Sequence, residues 1–148
     1  MNHHVVVIGF GSTGKSVIKE LEGKKIPYKA VDIQRDLVYD GQSKGYNVIY
    51  GNATKRQIHD TLNIKEAGAV IVTLDRHDEL MTISKMIKLN YPKVNLVARA
   101  IGPRDVVELR SGGIEMIIDE SSEIGRMLVD TALNCDVNKD GIANEYII

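Results

Sequence analysis

Short apolar runs rich in Val and Ile recur along the chain, each followed by an amphipathic stretch. The runs fall at His4–Ile8, Tyr28–Asp32, Asn47–Tyr50, Ala69–Thr73, Asn95–Ala98 and Glu115–Ile118. Their near-continuous hydrophobicity predicts strands of a parallel sheet buried on both faces. The stretches between them carry helical periodicity. Thr13–Glu22 places Val17, Ile18 and Leu21 on one face and stops at Gly23. Gln34–Lys44 stops before Gly45, Lys55–Leu62 follows Thr54 as an N-cap, and Arg76–Asn90 ends ahead of Pro92. Pro103 opens a helix that runs to Arg110, before Gly112-Gly113, and a last helix covers Ser122–Leu133. Strand and helix alternate throughout. That order predicts an α/β fold, a doubly wound, mainly parallel sheet of about six strands with helices on both faces. The expected organisation is one domain over residues 1–133 and a C-terminal tail over 134–148.

Composition narrows the class. The chain has 148 residues, 43% of them hydrophobic and 26% charged, which suits one globular domain. A formal net charge of −1 argues against a general nucleic-acid or membrane-surface binder, which needs a basic excess. The single Cys135 cannot form an internal disulfide, so a reducing cytosol is expected. No apolar run reaches the roughly 18 residues of a spanning helix. Met1–His4 lacks the basic region and apolar core of a signal peptide. The length also leaves room for a cofactor domain but none for the substrate domain of a two-domain dehydrogenase.

The first strand runs into Gly9-Phe10-Gly11-Ser12-Thr13-Gly14, a GxGxxG sequence between strand and helix. Gly9 permits the tight turn, Gly11 lets a pyrophosphate approach the backbone, and Gly14 lets the helix pack on the strand. The free N–H groups and dipole of that helix then face the anion. The second strand ends at Asp32, eighteen positions beyond Gly14. A carboxylate there accepts hydrogen bonds from a ribose 2′-OH and repels a 2′-phosphate. Arg35 nearby softens that repulsion. Together these features predict a Rossmann-like dinucleotide site. The same residues also satisfy GxxxxGK[ST], with Lys15 for the phosphates, Ser16 for Mg²⁺ and Asp75 as a metal-holding acid. Gly11 and Asp32 have roles only in the dinucleotide reading.

Two further segments are distinctive: Val48-Ile49-Tyr50-Gly51-Asn52-Ala53-Thr54, and Val97-Ala98-Arg99-Ala100. With the glycine loop, they make residues 4–130 resemble the RCK (KTN, TrkA-N) nucleotide-binding domains, which regulate potassium channels and potassium transporters. The resemblance implies ligand phosphates at Gly9, Gly11, Ser12, Thr13 and Gly14, with Phe10 and Ile33 also among the cofactor-binding residues. It implies ribose at Asp32, adenine at Gly51-Asn52-Ala53-Thr54, and the cleft edge at Thr73, Leu74 and Asp75. Arg99 is implied to face the cleft and sense phosphate. The implied cofactor is NAD(H), with AMP, ADP or ATP as alternatives. The implied partner is a potassium channel or transporter membrane subunit or segment absent from this chain. The domain would then sit in the cytoplasm at the inner face of the membrane, as a homo-oligomer. Two positions depart from the family. Asn52 replaces the usual acid, offering adenine both a donor and an acceptor. Leu80 stands where an Asn is frequent near the start of the fourth helix, which weakens the nicotinamide-side contacts.

The remaining candidates have plainer readings. His59 and His77 are expected at the surface, and no His, Cys or Asp spacing suggests a metal site. Met81, Met86 and Met127, with Ile83, Ile87 and Leu89, form apolar stripes that suit core packing or a subunit interface. Asp136, Asn138, Asp140 and Gly141 match half an EF-hand loop, but the twelfth position is Ile147 and Glu145 comes two residues early. No acid/base group is evident for hydride transfer, so no catalytic residue is expected. The expected function is therefore a ligand-sensing regulatory domain. The alternative is a small NAD-dependent oxidoreductase subunit or a P-loop-type nucleotide hydrolase.

Overall fold

The structure, a computed structural model, describes residues 3–136. The half EF-hand motif lies almost wholly outside them. Six strands form one sheet: β1 (Val5–Ile8), β2 (Tyr28–Asp32), β3 (Val48–Tyr50), β4 (Ala69–Val72), β5 (Asn95–Ala100) and β6 (Met116–Asp119). Their order is β3-β2-β1-β4-β5-β6, and every neighbouring pair is parallel. The helices are α1 (Ser12–Gly23), α2 (Arg35–Ser43), α3 (Arg56–Thr61), α4 (His77–Asn90), α5 (Pro103–Ser111) and α6 (Glu120–Asp136). This is the Rossmann-like, doubly wound α/β sheet that the alternation of strand and helix predicts.

Side chains alternate across the pleat and divide the core in two. Val6 and Ile8 of β1, Val70 and Val72 of β4, and Leu96 and Ala98 of β5 share one face with Leu80 and Ile87 of α4 and Leu109 of α5. Val7, Ala30 and Val48 share the other face with Ile18 and Leu21 of α1, Val38 of α2 and the ring of Phe10. Burying each such branched aliphatic side chain contributes about 1.5–3 kcal/mol.

Burial on both faces, expected for every strand, fails at β6. Ile117 packs on the first core. Met116 and Ile118, on the opposite face, are 45% and 51% exposed. The reason is that α1 and α2 pack over the β1–β3 half of that face. Helix α6 also departs from the expected Ser122–Leu133. It starts at Glu120, directly after Asp119, and runs to Asp136, past the expected domain end. The methionine stripes divide: Met81 is in the core, whereas Met127 of α6 is exposed beside Ile124, Leu128 and Val129.

Two contacts set the geometry of the strand ends. Gly9 adopts φ +110°, and a Cβ at Gly14 would lie 2.0 Å from the Gly9 carbonyl oxygen. Only glycine permits that approach of α1 to β1. On the other side of the sheet, His77 is not the surface residue expected. Its Nδ1 lies 2.5 Å from Asp105 Oδ1 and its Nε2 2.9 Å from Glu108 Oε2. Asp105 Oδ2 also accepts the Ile101 N–H at 2.9 Å. The cluster clamps the start of α4 to α5.

Gly14→Ala is expected to lower stability by about 3 kcal/mol, the upper range for overpacking, read as a shift of the urea midpoint. Gly23→Ala, where a Cβ meets nothing within 4 Å, is expected to leave it unchanged or raise it by up to about 1 kcal/mol.

The clamp predicts a pH dependence. Asp105, then Glu108, raises the His77 pKa above the ordinary 6.5. Burial pushes Asp105 upward, but the Ile101 amide and His77 outweigh it and hold the carboxyl below 3.8. The histidine contribution is full below pH 6.5 and is lost as pH rises through its folded value. The aspartate contribution is full above pH 3.8 and is lost as pH falls through its folded value. The stability difference between the native chain and His77→Gln is therefore expected to shrink from pH 6 to pH 8 in urea titrations.

Candidate functional site

The sheet order reverses at β1. The chain moves outward to β2 and β3, then returns to β4 on the other side, and the loops after β1 and β4 diverge. A crevice opens at such a switch point, at the C-terminal ends of the strands. Here it is a cavity of about 410 Å³, within the usual range for small-ligand sites. Gly9, Gly11, Ser12, Thr13, Asp32, Ile33, Gly51, Asn52, Ala53, Thr73, Leu74, Asp75 and Arg99 line it, all singled out from sequence. Phe10 and Gly14 do not. The Phe10 ring is buried in the second core, 5.8 Å from the Tyr46 ring, and Gly14 is taken up by its contact with Gly9.

At the centre of the cavity, α1 begins at Ser12 with Gly11 as its N-cap. No side chain caps it and no acidic residue sits in its first turn, so its N–H groups and dipole are open to an anion. Asp32 stands beside this helix end. Its Oδ2 accepts the Phe10 N–H at 2.7 Å and its Oδ1 accepts the Gln34 N–H at 2.8 Å. The carboxylate is thus fixed by two backbone donors, and each oxygen keeps lone-pair capacity for a ligand hydroxyl.

On the β4 side, Thr73 donates its hydroxyl to the Ile8 carbonyl at 3.0 Å and lies 3.3 Å from that of Gly9, tying β4 to the glycine turn. Arg99 donates through Nη2 to the Thr73 carbonyl and through Nη1 to Glu120 at 3.0 Å. Its guanidinium therefore joins the cavity wall to the first residue of α6. Arg76, Glu79 and Ile83 of the α4 side also line the cavity. The sequence places Arg76 and Glu79 in a charged first turn and Ile83 in an apolar stripe, not at a cleft, although their i, i+3, i+7 spacing marks one helix face beginning at a strand end. Leu80 points away from it into the core.

Opposite them, the turn after β3 is braced from below. His59 is buried, and its Nε2 donates to the Ala53 carbonyl at 2.6 Å. The expected surface histidine instead supports the cavity floor, with its ring tilted against Tyr91 at 5.7 Å. An apolar neighbourhood in the sequence, Ile58 and Leu62 around it, carried that signal. Lys15 does not line the cavity, and its Nζ lies 5.5 Å from the centre of the Phe10 ring. Gly14 falls within α1 rather than in a wide phosphate loop, which leaves the P-loop alternative without its lysine.

The family model of the TrkA-N domain matches residues 5–120. The chain belongs to the TrkA-N family. Among curated relatives, a protein of Alkalimonas amylolytica bearing the name K(+) efflux antiporter KefB is 24% identical over 133 residues. That alignment takes in 90% of this TrkA-N chain and 20% of the relative, so the chain spans about a fifth of its length. The Kef CTD of Shewanella denitrificans in its AMP-bound form superposes with a TM-score of 0.78 at 23% identity, covering 97% of this chain and 87% of that one. The GsuK channel bound to NAD gives 0.79 at 23% identity, covering 92% and 24%.

Asp32→Ala removes the acceptor of two backbone N–H groups as well as the carboxylate that lines the cavity. It is expected to cost about 1–3 kcal/mol of stability, measured by urea unfolding without ligand.

Proposed function

We propose that this TrkA-N chain is a ligand-sensing domain that binds NAD(H) or an adenine nucleotide and regulates a potassium channel or transporter. The observation that carries the reading is the pairing of the bare α1 N-terminus with the doubly fixed Asp32 carboxylate in one cleft. The first favours a phosphate and the second a ribose with a free 2′-OH. The cavity runs from the β3 turn to Arg99 on β5, on both sides of the glycine loop. A dinucleotide fills both halves and a mononucleotide one, which ranks NAD(H) ahead of AMP, ADP or ATP. The likeness to Kef and GsuK domains, seen with AMP and NAD respectively, supports both.

The partner is a membrane subunit or segment outside this chain, which places the domain in the cytoplasm at the inner face of the membrane. Among the described residues no helix is long and apolar enough to cross a membrane. Self-association is part of the reading: Met116 and Ile118 of β6 and the apolar side chains of α6 are exposed, as at surfaces that pair. Binding regulates by its differential affinity for two arrangements of paired domains, typically about 1–3 kcal/mol. The cleft binds rather than reacts in this reading, and its acids, Asp32, Asp75 and Glu79, are holders of ligand hydroxyls or neighbours of Arg76 and Arg99.

A thermal-shift panel of NAD⁺, NADH, NADPH, ATP, ADP and AMP tests this. A ligand at 100 times its dissociation constant is expected to stabilise by about 2.7 kcal/mol, and at one common concentration NADPH is expected to shift the chain least because of its 2′-phosphate. No shift with any of the six overturns the reading. So does steady nucleotide hydrolysis that disappears in Lys15→Ala.

A further inference from the structure

The turn after β3 carries a polarity that its sequence does not reveal. Asn52 Oδ1 accepts the Thr54 N–H at 2.9 Å and the Thr54 hydroxyl at 2.7 Å. Only an oxygen accepts from a backbone N–H, so these two donors fix which end of the amide faces inward. The end left over is Nδ2, with two N–H donors, and no group among the described residues accepts from it. Asn52 lines the cavity. Of the neighbouring backbone acceptors, the Asn52 carbonyl already accepts the Lys55 N–H at 3.0 Å and the Ala53 carbonyl accepts from His59. The amide that promised a donor and an acceptor therefore presents a donor.

The sheet order locates what meets it. Phosphates belong at the α1 end beside β1 and the ribose at Asp32 on β2. Continuing outward, the base falls beside β3, against the 51–54 turn. Purines differ there in a way this donor senses. On the edge formed by N7 and the 6-position, a 6-aminopurine shows an amine donor and the N7 acceptor, whereas a 6-oxopurine shows acceptors at both O6 and N7.

We propose that Asn52 sets base specificity as a hydrogen-bond donor, so that the cleft takes 6-oxopurine nucleotides as well as 6-aminopurine ones. The proposal rests on the nucleotide reading above. Asn52 meets a ring nitrogen of adenine, or O6 or N7 of hypoxanthine, and does not engage the adenine amine. A carboxylate at this position behaves differently. It keeps one oxygen on Thr54 and turns the other, an acceptor, toward that amine.

Calorimetric titration of the chain with AMP and IMP tests this, because the two differ only at the 6-position of the base and its N1 proton. The native chain is expected to favour AMP over IMP by less than about tenfold, or to favour IMP. Asn52→Asp is expected to increase the AMP preference at least about tenfold, the effect of one well-placed hydrogen bond to a ligand polar group. The added negative charge weakens both nucleotides alike and cancels in the ratio. A native preference for AMP above tenfold, as when the Thr54 hydroxyl oxygen accepts the amine, overturns the proposal. An AMP-to-IMP ratio that rises less than tenfold in Asn52→Asp also overturns it. In both cases the nucleotide reading stands. Failure of the native chain to bind AMP, IMP or any nucleotide of the thermal-shift panel overturns both.

Discussion

Helix α1 rests on the Gly9 carbonyl with no space for a methyl group between them. Most of the cleft depends on that closeness. It brings the first N–H groups of α1 to the mouth of β1. It turns the Phe10 N–H toward Asp32, which then joins the glycine turn to the end of β2. Thr73 presses on the same turn from β4, with its hydroxyl on the Ile8 carbonyl. Three strand ends are thereby referenced to one backbone contact. A ligand meets groups already held in place, so little ordering cost is left for binding.

The fold was legible because its signals are strong and local. Runs such as Val5–Ile8 and Ala69–Val72 can satisfy their apolar side chains only inside a covered sheet, and Gly23, Gly45 and Pro92 punctuate the helices between them. The glycine loop and Asp32 were legible from their pattern and spacing, whereas residues 51–53, residues 73–75 and Arg99 were legible only through the resemblance to the RCK domains. What escaped depended on tertiary direction. Phe10 sits within the glycine motif, yet its ring enters the core while only its amide serves the cleft. His59 reads as polar, but the turn above it offers a carbonyl that repays its burial. Arg76, Glu79 and Ile83 become neighbours of the glycine loop only once α4 is docked. The exposure of Met116 and Ile118 depends on where α1 and α2 pack, which no feature of β6 itself declares.

Residue type alone is also a poor guide to what a binding wall offers. Asp32 carries four lone-pair sites and uses two on the backbone, so its polarity toward a ligand survives. Asn52 has an acceptor and donors, and its internal bonds consume the acceptor. Arg99 is aimed at the cleft and already holds Thr73 and Glu120. An anion approaching it competes with a carboxylate of the chain itself. The chemistry a ligand encounters is what remains after such internal commitments, atom by atom.

Strand β6 passes into α6 with no residue between them. A loop there would absorb motion; a direct junction transmits it. The helix has 17 residues, so it forms a rod of about 25 Å, and a tilt of about 5° at its root displaces the tip by about 2 Å. Glu120, the residue at that root, is also the one that Arg99 grips from the cleft wall. The cleft wall and the root of the helix therefore share one ion pair, so whatever changes the hold of Arg99 is felt first where α6 begins.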